Sequence, residues 1–157
     1  MSFKVGIGFD AHQFTKGRKL ILGGVRIDCL LGLDGWSDAD VLTHAICDAL
    51  LGAAGMDDIG THFPNVEQYK DVSSMMFLEE IRKMLDKKSF YICNIDVTII
   101  AQKPTISPYK QKMKENIAYT LKIKIDQINI KATTTDKMGF TGRGEGIAVL
   151  AIVGLGM

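Results

Sequence analysis

The N-terminal strand constrains the fold of this chain more than any other segment. Over Phe3–Phe9, large apolar residues at the odd positions alternate with lysine or glycine at the even positions. A period of two predicts a half-buried β-strand. Asp10 and His12 follow at once, and in an extended chain that spacing puts both side chains on one face. The chain therefore begins with a strand that delivers an acid and a histidine together.

The remaining segments alternate between the apolar periodicity of strands and that of helices. Diglycine Gly23-Gly24 divides a β-hairpin, and Ser37 or Asp38 is positioned to cap the next helix. Helices are also predicted after Asp71 or Ser73 and after Ser107-Pro108. Strands are predicted over 95–99 and 147–153, and from Ile128 into the run 133–137. This uneven alternation predicts an α+β fold, with a mixed four- to five-stranded sheet packed on one side by helices. We expect residues 1–157 to form a single domain.

Composition excludes several classes of protein. The 157 residues are 46% hydrophobic and 24% charged, with a formal net charge of +1. A near-neutral chain is not drawn to nucleic acid or to a membrane surface, so neither partner is expected. The three cysteines are widely spaced and form no C-x-x-C motif. No apolar signal region opens the sequence, so we expect a cytoplasmic protein, although a processed plastid form would look the same.

Two acid–histidine pairs suggest a metal site. Asp10, His12 and His44 offer oxygen and nitrogen ligands that suit zinc, and they leave a fourth position for water or substrate. Asp40 and Asp48 lie one helical turn before and after His44, so either could accept its free imidazole N–H. The spacing alone leaves a second interpretation open, in which both histidines are structural.

A second polar cluster suggests phosphate binding. Thr133–Thr135 offers hydroxyl and backbone donors at a strand end, and Asp136 could hold a magnesium ion that bridges phosphates. Arg143 lies in the glycine-rich segment 142–146, where the backbone can approach an anion closely. No Walker motif occurs. Taken alone, the threonine run favours an ordinary strand with a capping aspartate over a phosphate site.

The sequence resembles the 2-C-methyl-D-erythritol 2,4-cyclodiphosphate synthase family along nearly its whole length. The segments that carry the resemblance, in chain order, are Gly8–His12, Gly23–Ile27, Ser37–His44, Asp48–Ala53, Asp58–Gly60, Phe63-Pro64, Asp96–Gln102, Lys131–Thr135 and Gly139–Gly146.

The resemblance implies a zinc- and magnesium-dependent lyase of non-mevalonate isoprenoid biosynthesis. The 2-phosphate of 4-diphosphocytidyl-2-C-methyl-D-erythritol 2-phosphate would attack the β-phosphorus and release CMP. It implies one Zn²⁺ per active site, with Mg²⁺ or Mn²⁺ on the substrate diphosphate. It also implies a homotrimer with active sites between subunits, a small-molecule cytidine diphosphate substrate, and a bacterial-type cytoplasmic enzyme.

The family's site residues map onto this chain by position. The resemblance makes Asp10, His12 and His44 the zinc ligands, Asp136 the magnesium ligand, and Thr134 a catalytic residue. The implied substrate-binding residues are Asp10, His12, Ser37, Asp58, Ile59, Gly60, Phe63, Pro64, Asn65, Val66, Glu67, Ala101, Gln102, Lys103, Pro104, Thr105, Ile106, Ser107, Thr133, Thr134, Thr135, Asp136, Phe140 and Arg143.

Four positions depart from the family pattern. Trp36 stands where the family usually has a histidine that stabilises the transferring phosphate. Tryptophan has one N–H and no charge, so either Trp36 fills this catalytic role with that single donor or the role passes to Ser37 and backbone donors. Asp136 replaces a longer glutamate. Lys103 precedes Pro104, whereas the family's basic residue follows the proline. Asn65 occupies a position where an acid is common.

Two other functions fit parts of the same pattern. A zinc-dependent phosphatase or phosphodiesterase would need a water-activating base beside the metal. A trimeric binder of nucleotides or isoprenoid diphosphates would have lost its activity through Trp36. Release of CMP, hydrolysis of simple phosphate esters, and CDP binding without turnover would distinguish the three functions.

Overall fold

A computed structural model describes residues 2–157 of the chain. The strands are β1 Phe3–Thr15, β2 Leu20–Leu22, β3 Val25–Ile27, β4 Gly32–Leu33, β5 Tyr91–Ile100, β6 Ile128–Thr133 and β7 Gly146–Gly156. The α-helices are α1 Val41–Ala54, α2 Ile59–His62, α3 Ser74–Lys87, α4 Lys110–Leu121 and α5 Gly139–Gly142. Short 3₁₀ turns occupy Glu67–Tyr69, Ser107–Tyr109 and Ile125–Gln127.

A five-stranded mixed sheet organises the chain. Its strand order is β4-β1-β7-β5-β6, and the short β2–β3 hairpin stands apart from it. Strands β5 and β6 run parallel, while the pairs β1–β4, β1–β7 and β5–β7 are antiparallel. The predicted α+β class and mixed sheet are confirmed. Among residues 2–157, none of the helices combines the length and apolar character required to cross a membrane.

Strand β1 is half-buried as predicted, but its buried half consists of the glycines. Helix α1 lies so close to β1 that a Cβ added at Gly6 would overlap the carbonyl oxygen of Ala49, and one at Gly8 that of Ala45. The large apolar residues of β1 therefore point away from the helices. With two residues of the paired strand β7 they form an apolar surface, which we call the open sheet face: Phe3, Val5, Ile7, Phe9, Leu150 and Ile152.

Helix α1 begins at a buried carboxylate. Asp40 is its N-cap and accepts hydrogen bonds from the backbone N–H and the hydroxyl of Thr43, at 3.0 and 2.8 Å. The same carboxylate accepts the N–H groups of Gly23 and Gly24 in the β2–β3 turn, at 2.9 and 2.8 Å. The prediction that Ser37 or Asp38 caps this helix is thus wrong, because Asp40 alone reaches both the helix start and the hairpin.

The other predicted helices are confirmed in position. Ser73 caps α3. The residues at core spacing in the two helices are buried, except Met84, which is partly buried: Phe77, Leu78, Ile81 and Leu85 of α3, and Met113, Ile117 and Leu121 of α4. The segment Gly55–Tyr69, which lacks periodicity in sequence, contains the short helix α2 and a 3₁₀ turn. The hydrophobic core fills the space between this helical layer and one face of the sheet.

Candidate active site

Three predicted metal ligands converge where β1 meets α1. Asp10 and His12 lie in β1 opposite Val149 and Ile147 of β7, and His44 lies in the first turn of α1. The Asp10 Oδ2 atom is 2.8 Å from His12 Nε2 and 3.1 Å from His44 Nδ1, and the two nitrogens are 3.2 Å apart. The close contact of α1 with the β1 glycines brings His44 to this position.

The electrostatics of the cluster favour an ionised Asp10. Burial alone would raise the pKa of Asp10, but hydrogen bonds and charge from His12 and His44 hold it well below its usual range. Burial opposes protonation of His12, yet the Asp10 carboxylate raises the pKa of that imidazole above its ordinary value. A proton on His12 therefore competes with any cation that binds this group.

The donor set fits a zinc ion. Bond lengths of about 2.0–2.1 Å in a tetrahedral site place neighbouring ligand atoms roughly 3.3 Å apart. The distances of 2.8, 3.1 and 3.2 Å are close to that spacing, and two imidazoles with a carboxylate are common zinc ligands. Within residues 2–157, this is the one group of three or more such side chains with ligand atoms near enough to share an ion.

Two serine hydroxyl groups contact the second ring nitrogen of His44, Nε2. Its Nε2 atom lies 2.8 Å from the hydroxyl of Ser74, the first residue of α3, and 3.2 Å from the hydroxyl of Ser37. The prediction that Asp40 or Asp48 accepts this N–H is wrong. Asp40 caps α1, and Asp48 accepts the backbone N–H of Ile59 at 2.8 Å. Burial raises the pKa of Asp48.

A cavity of about 270 Å³ opens over these three predicted metal ligands. It gathers many of the residues predicted from the sequence: Asp10, His12, Trp36, Ser37, His44, Ile59, Gly60, Phe63 and Asn65. Gly35, Tyr69 and Phe77 also line it and were not predicted as site residues, and so does Asp48, which was predicted only as a partner of His44.

An aromatic wall forms one side of this cavity. Phe63 stacks on Phe77 with ring centroids 4.5 Å apart, and Tyr69 meets both rings edge-on at 5.7 and 5.6 Å. In the sequence, the spacing of apolar residues in α3 indicates only that Phe77 is buried, and Tyr69 lies in a segment without periodicity. Their alignment depends on tertiary contacts, so no local pattern could identify them as site residues.

Trp36 connects the cavity to the segment that follows α2. Its indole Nε1–H donates to the carbonyl oxygen of Val66 at 2.8 Å, and its own carbonyl accepts the N–H of Asp71 at 2.9 Å. The Lys70 ammonium group lies 5.8 Å from the ring centroid, within reach of a cation–π interaction. The single N–H of the indole is thus already engaged.

A second group of the substrate-binding residues implied by the resemblance forms a separate cavity of about 200 Å³. Of the predicted residues, Ala101, Gln102, Pro104, Thr105, Ile106, Ser107, Thr133 and Thr134 line it. In the described part of the chain, this cavity and the metal-ligand cavity have no lining residue in common. A single chain therefore presents two halves of the predicted site at different places.

The other predicted residues do not line either of these cavities. Thr135 donates to the carbonyl of Met138 at 2.5 Å, and Asp136 accepts from the Thr134 hydroxyl at 3.4 Å. Lys103 and Arg143 line a third cavity, while Phe140 lines a fourth beside His12.

Asp58 caps α2 through the N–H and hydroxyl of Thr61, which lower the pKa of that exposed carboxyl. Pro64, Val66 and Glu67 lie exposed in the segment between α2 and α3.

Comparison with known proteins gives a consistent result. The family model of the YgbB family matches residues 3–156. The 2-C-methyl-D-erythritol 2,4-cyclodiphosphate synthase of Alkaliphilus metalliredigens is 57% identical over 154 residues, which cover 98% of this chain and 97% of that protein.

Among solved structures, Plasmodium falciparum IspF in complex with CDP aligns with a TM-score of 0.87 and 35% identity, covering 98% of this chain and 96% of that chain. Bifunctional IspDF from Campylobacter jejuni aligns with a TM-score of 0.90 and 45% identity, and it covers 98% of this chain. The match spans 42% of that longer chain. The resemblance inferred from the sequence segments is confirmed: the chain belongs to the YgbB family, that of the 2-C-methyl-D-erythritol 2,4-cyclodiphosphate synthases.

Proposed function

We propose that this chain converts 4-diphosphocytidyl-2-C-methyl-D-erythritol 2-phosphate into 2-C-methyl-D-erythritol 2,4-cyclodiphosphate and CMP. An oxygen of the 2-phosphate forms a bond to the β-phosphorus. The bond from that phosphorus to the bridging oxygen breaks, and CMP leaves with this oxygen and its electron pair. The observation that carries the proposal is the convergence of Asp10, His12 and His44 beside a cavity, in a chain 57% identical to a synthase of that name.

We infer that Asp10, His12 and His44 bind Zn²⁺, and that Asp136 binds Mg²⁺ or Mn²⁺ together with the substrate diphosphate. These ions would neutralise charge on the phosphate groups, which otherwise repel one another. The single carboxylate of Asp136 suits magnesium, which is commonly held by one or two carboxylates plus substrate phosphates.

The remaining work of the chain is positioning. The reaction is intramolecular, so a large part of its barrier is lowered by holding the two phosphates in contact. In this proposal Ser37 and the residues around Ile59-Gly60 hold the methylerythritol end beside the metal ligands. Thr133–Thr135 and the loop Ala101–Ser107 hold the cytidine and its phosphates. Thr134 donates a hydrogen bond to the phosphate group being transferred.

We propose a homotrimer with active sites between subunits. The two cavities that would hold the two ends of the substrate are separate within one chain, and in this proposal a neighbouring copy supplies the second half of each site. The open sheet face supports this assembly, because Phe3, Ile7 and Phe9 are 63%, 67% and 57% exposed. A contiguous apolar surface of this kind usually marks an interface. We expect the enzyme to act in the cytoplasm, as befits the bacterial source of relatives such as the Alkaliphilus metalliredigens synthase.

A charge on the open sheet face should dissociate the trimer. In the Ile7→Asp variant a carboxylate would face the equivalent strands of its neighbours, where its burial is costly. We expect a monomer by light scattering after gel filtration, and loss of nearly all CMP release. Zinc content should stay near one ion per chain, because all three ligands come from one chain.

Tyr119→Asp is the matched control for this prediction. Tyr119 is 87% exposed on helix α4, in the helical layer. This variant should remain trimeric and active. A trimeric, fully active Ile7→Asp protein would contradict the proposed interface.

Replacing Trp36 by histidine should increase the rate. The indole N–H is bonded to Val66, so Trp36 offers no donor to the substrate, whereas a protonated imidazole could stabilise charge on the transferring phosphate. We expect kcat to rise about tenfold, equivalent to roughly 1.4 kcal/mol of transition-state stabilisation. Trp36→Phe, which keeps an aromatic ring but loses the N–H, should not show this gain. A Trp36→His enzyme slower than the wild type would show that the indole is better suited to this site.

The experiment that tests the proposed function is a CMP-release assay with saturating Zn²⁺ and Mg²⁺, with the product followed by ³¹P NMR. We expect equal amounts of CMP and cyclic diphosphate. Tight binding of CDP without turnover would instead support a non-catalytic nucleotide binder, and no release of CMP would overturn the proposal.

A further inference from the structure

The N-terminus of α3 contacts a metal ligand through a chain of short hydrogen bonds. His44 Nε2 lies 2.8 Å from Ser74 Oγ, and Ser74 Oγ lies 2.5 Å from Asp38 Oδ1. The backbone N–H of Ser74 donates to the other oxygen of Asp38 at 3.1 Å. Ser74 is fully buried. These contacts orient the imidazole ring of His44. The two acids one helical turn away, Asp40 and Asp48, are bonded elsewhere and do not orient it.

The hydrogen atoms in this chain can be assigned from the properties of the groups. A carboxylate oxygen only accepts, so the single hydroxyl hydrogen of Ser74 must point to Asp38. Ser74 Oγ can then only accept from His44, which requires the proton of the neutral imidazole to be on Nε2. The lone pair of His44 is consequently on Nδ1, the atom that lies 3.1 Å from Asp10 and 3.2 Å from His12.

In His12 the proton of the neutral ring is on the other nitrogen, Nδ1. Its Nδ1 atom lies 2.5 Å from the carbonyl oxygen of Asp34, which only accepts, so the free lone pair of the neutral ring is on Nε2. Backbone thus orients His12, while side chains from a separate helix orient His44. Both lone pairs face the Asp10 carboxylate.

We propose that Ser74 and Asp38 are positioning residues that select the tautomer of His44 and thereby set the zinc affinity of the site. This inference rests on the metal site of the proposed function, but it concerns affinity and not turnover. Neither residue touches the ion. Asp38 orients the Ser74 hydroxyl, and Ser74 orients the imidazole, in the way that groups behind a metal-bound histidine commonly raise affinity.

The test is a measurement of zinc affinity by chelator competition, starting from the zinc-loaded full chain. In Ser74→Ala, His44 Nε2 keeps only the longer 3.2 Å contact to Ser37, so we expect zinc to bind about 10–100-fold more weakly. In Asp38→Ala the released Ser74 hydroxyl can turn and donate to Nε2, which favours the wrong tautomer. We therefore expect weaker zinc binding in this variant too, although the Ser74–His44 contact remains.

Ser73→Ala is the matched control. Ser73 caps the same helix by accepting the N–H of Met75 at 3.3 Å, and its side chain is exposed. This substitution should lower thermal stability while leaving the zinc affinity within about twofold of wild type, because metal affinity here depends on groups bonded to the ligands.

Nitrogen NMR of His44 in the metal-free chain gives a second measurement. The wild type should show the Nε2–H tautomer, and both Ser74→Ala and Asp38→Ala should shift the population towards Nδ1–H. Wild-type zinc affinity in these two variants would overturn the inference, as would equal weakening in Ser73→Ala. If Ser74→Ala fails to fold, Asp38→Ala alone decides. A wild-type chain that binds zinc normally but releases no CMP would count against the proposed function and leave this inference standing.

Discussion

Replacing His44 by alanine should leave the enzyme without bound zinc and lower its rate of CMP release on the order of 1000-fold. Two ligands, Asp10 and His12, would remain, and a structural or catalytic zinc site needs at least three from the protein. Loss of the ion removes several kcal/mol of charge stabilisation from a reaction between two anionic groups, and about 4 kcal/mol corresponds to this factor. Elemental mass spectrometry measures the bound zinc, and a CMP-release assay measures the rate.

His62→Ala controls for the loss of a histidine as such. His62 Nε2 lies 2.6 Å from the carbonyl of Met56, in the segment around α2, and does not belong to the metal-binding group. This variant should retain its zinc. A His44→Ala protein that binds zinc as tightly as the wild type would refute the assignment of the ligands.

Replacing Asp40 by alanine should destabilise the fold by about 3–5 kcal/mol. The substitution removes the shared acceptor of Gly23, Gly24 and both donors of Thr43, in a site with no solvent exposure. Each buried donor left without a partner costs about 1–3 kcal/mol, and relaxation of the β2–β3 turn recovers part of the total. Urea unfolding of the zinc-loaded protein, followed by circular dichroism, measures the change.

Asp58→Ala provides a matched comparison for Asp40→Ala. Asp58 also caps a helix, but its carboxylate is exposed and bonds only to Thr61 and its own turn. Its loss should cost about 1 kcal/mol, as is usual for an N-cap. If the two variants were destabilised equally, the buried contacts of Asp40 with the hairpin would contribute little.

The cap of helix α1, Asp40, could not be identified from the sequence alone. The acidic run before α1 correctly predicted a helix start, but Ser37, Asp38 and Asp40 are all competent caps in isolation. Position in the folded chain separates them. Only Asp40 faces the β2–β3 turn, while Ser37 and Asp38 approach helix α3 and the imidazole of His44. A pattern within one helix cannot reveal partners that arrive from segments distant in sequence.

Strand β1 shows the same limit for burial. Its alternation correctly predicted a half-buried strand, and an isolated chain would be expected to bury the large residues. The large residues are exposed in this chain for two reasons. The backbone of α1 approaches Gly6 and Gly8 too closely for any side chain, and the open sheet face is available to other subunits in the proposed trimer. The grouping of Asp10, His12 and His44 could be predicted because these residues combine suitable chemistry with a recognisable family pattern. Ser74 has neither feature in the sequence.

The measurement that most directly tests the account is turnover in ¹⁸O-labelled water. Intramolecular attack by the 2-phosphate uses no water, so CMP and the cyclic diphosphate should contain no solvent oxygen. We expect unlabelled products by mass spectrometry. Solvent ¹⁸O in CMP, or a labelled linear phosphate in place of the cyclic product, would show hydrolysis by a zinc-dependent phosphodiesterase and contradict the proposed cyclisation.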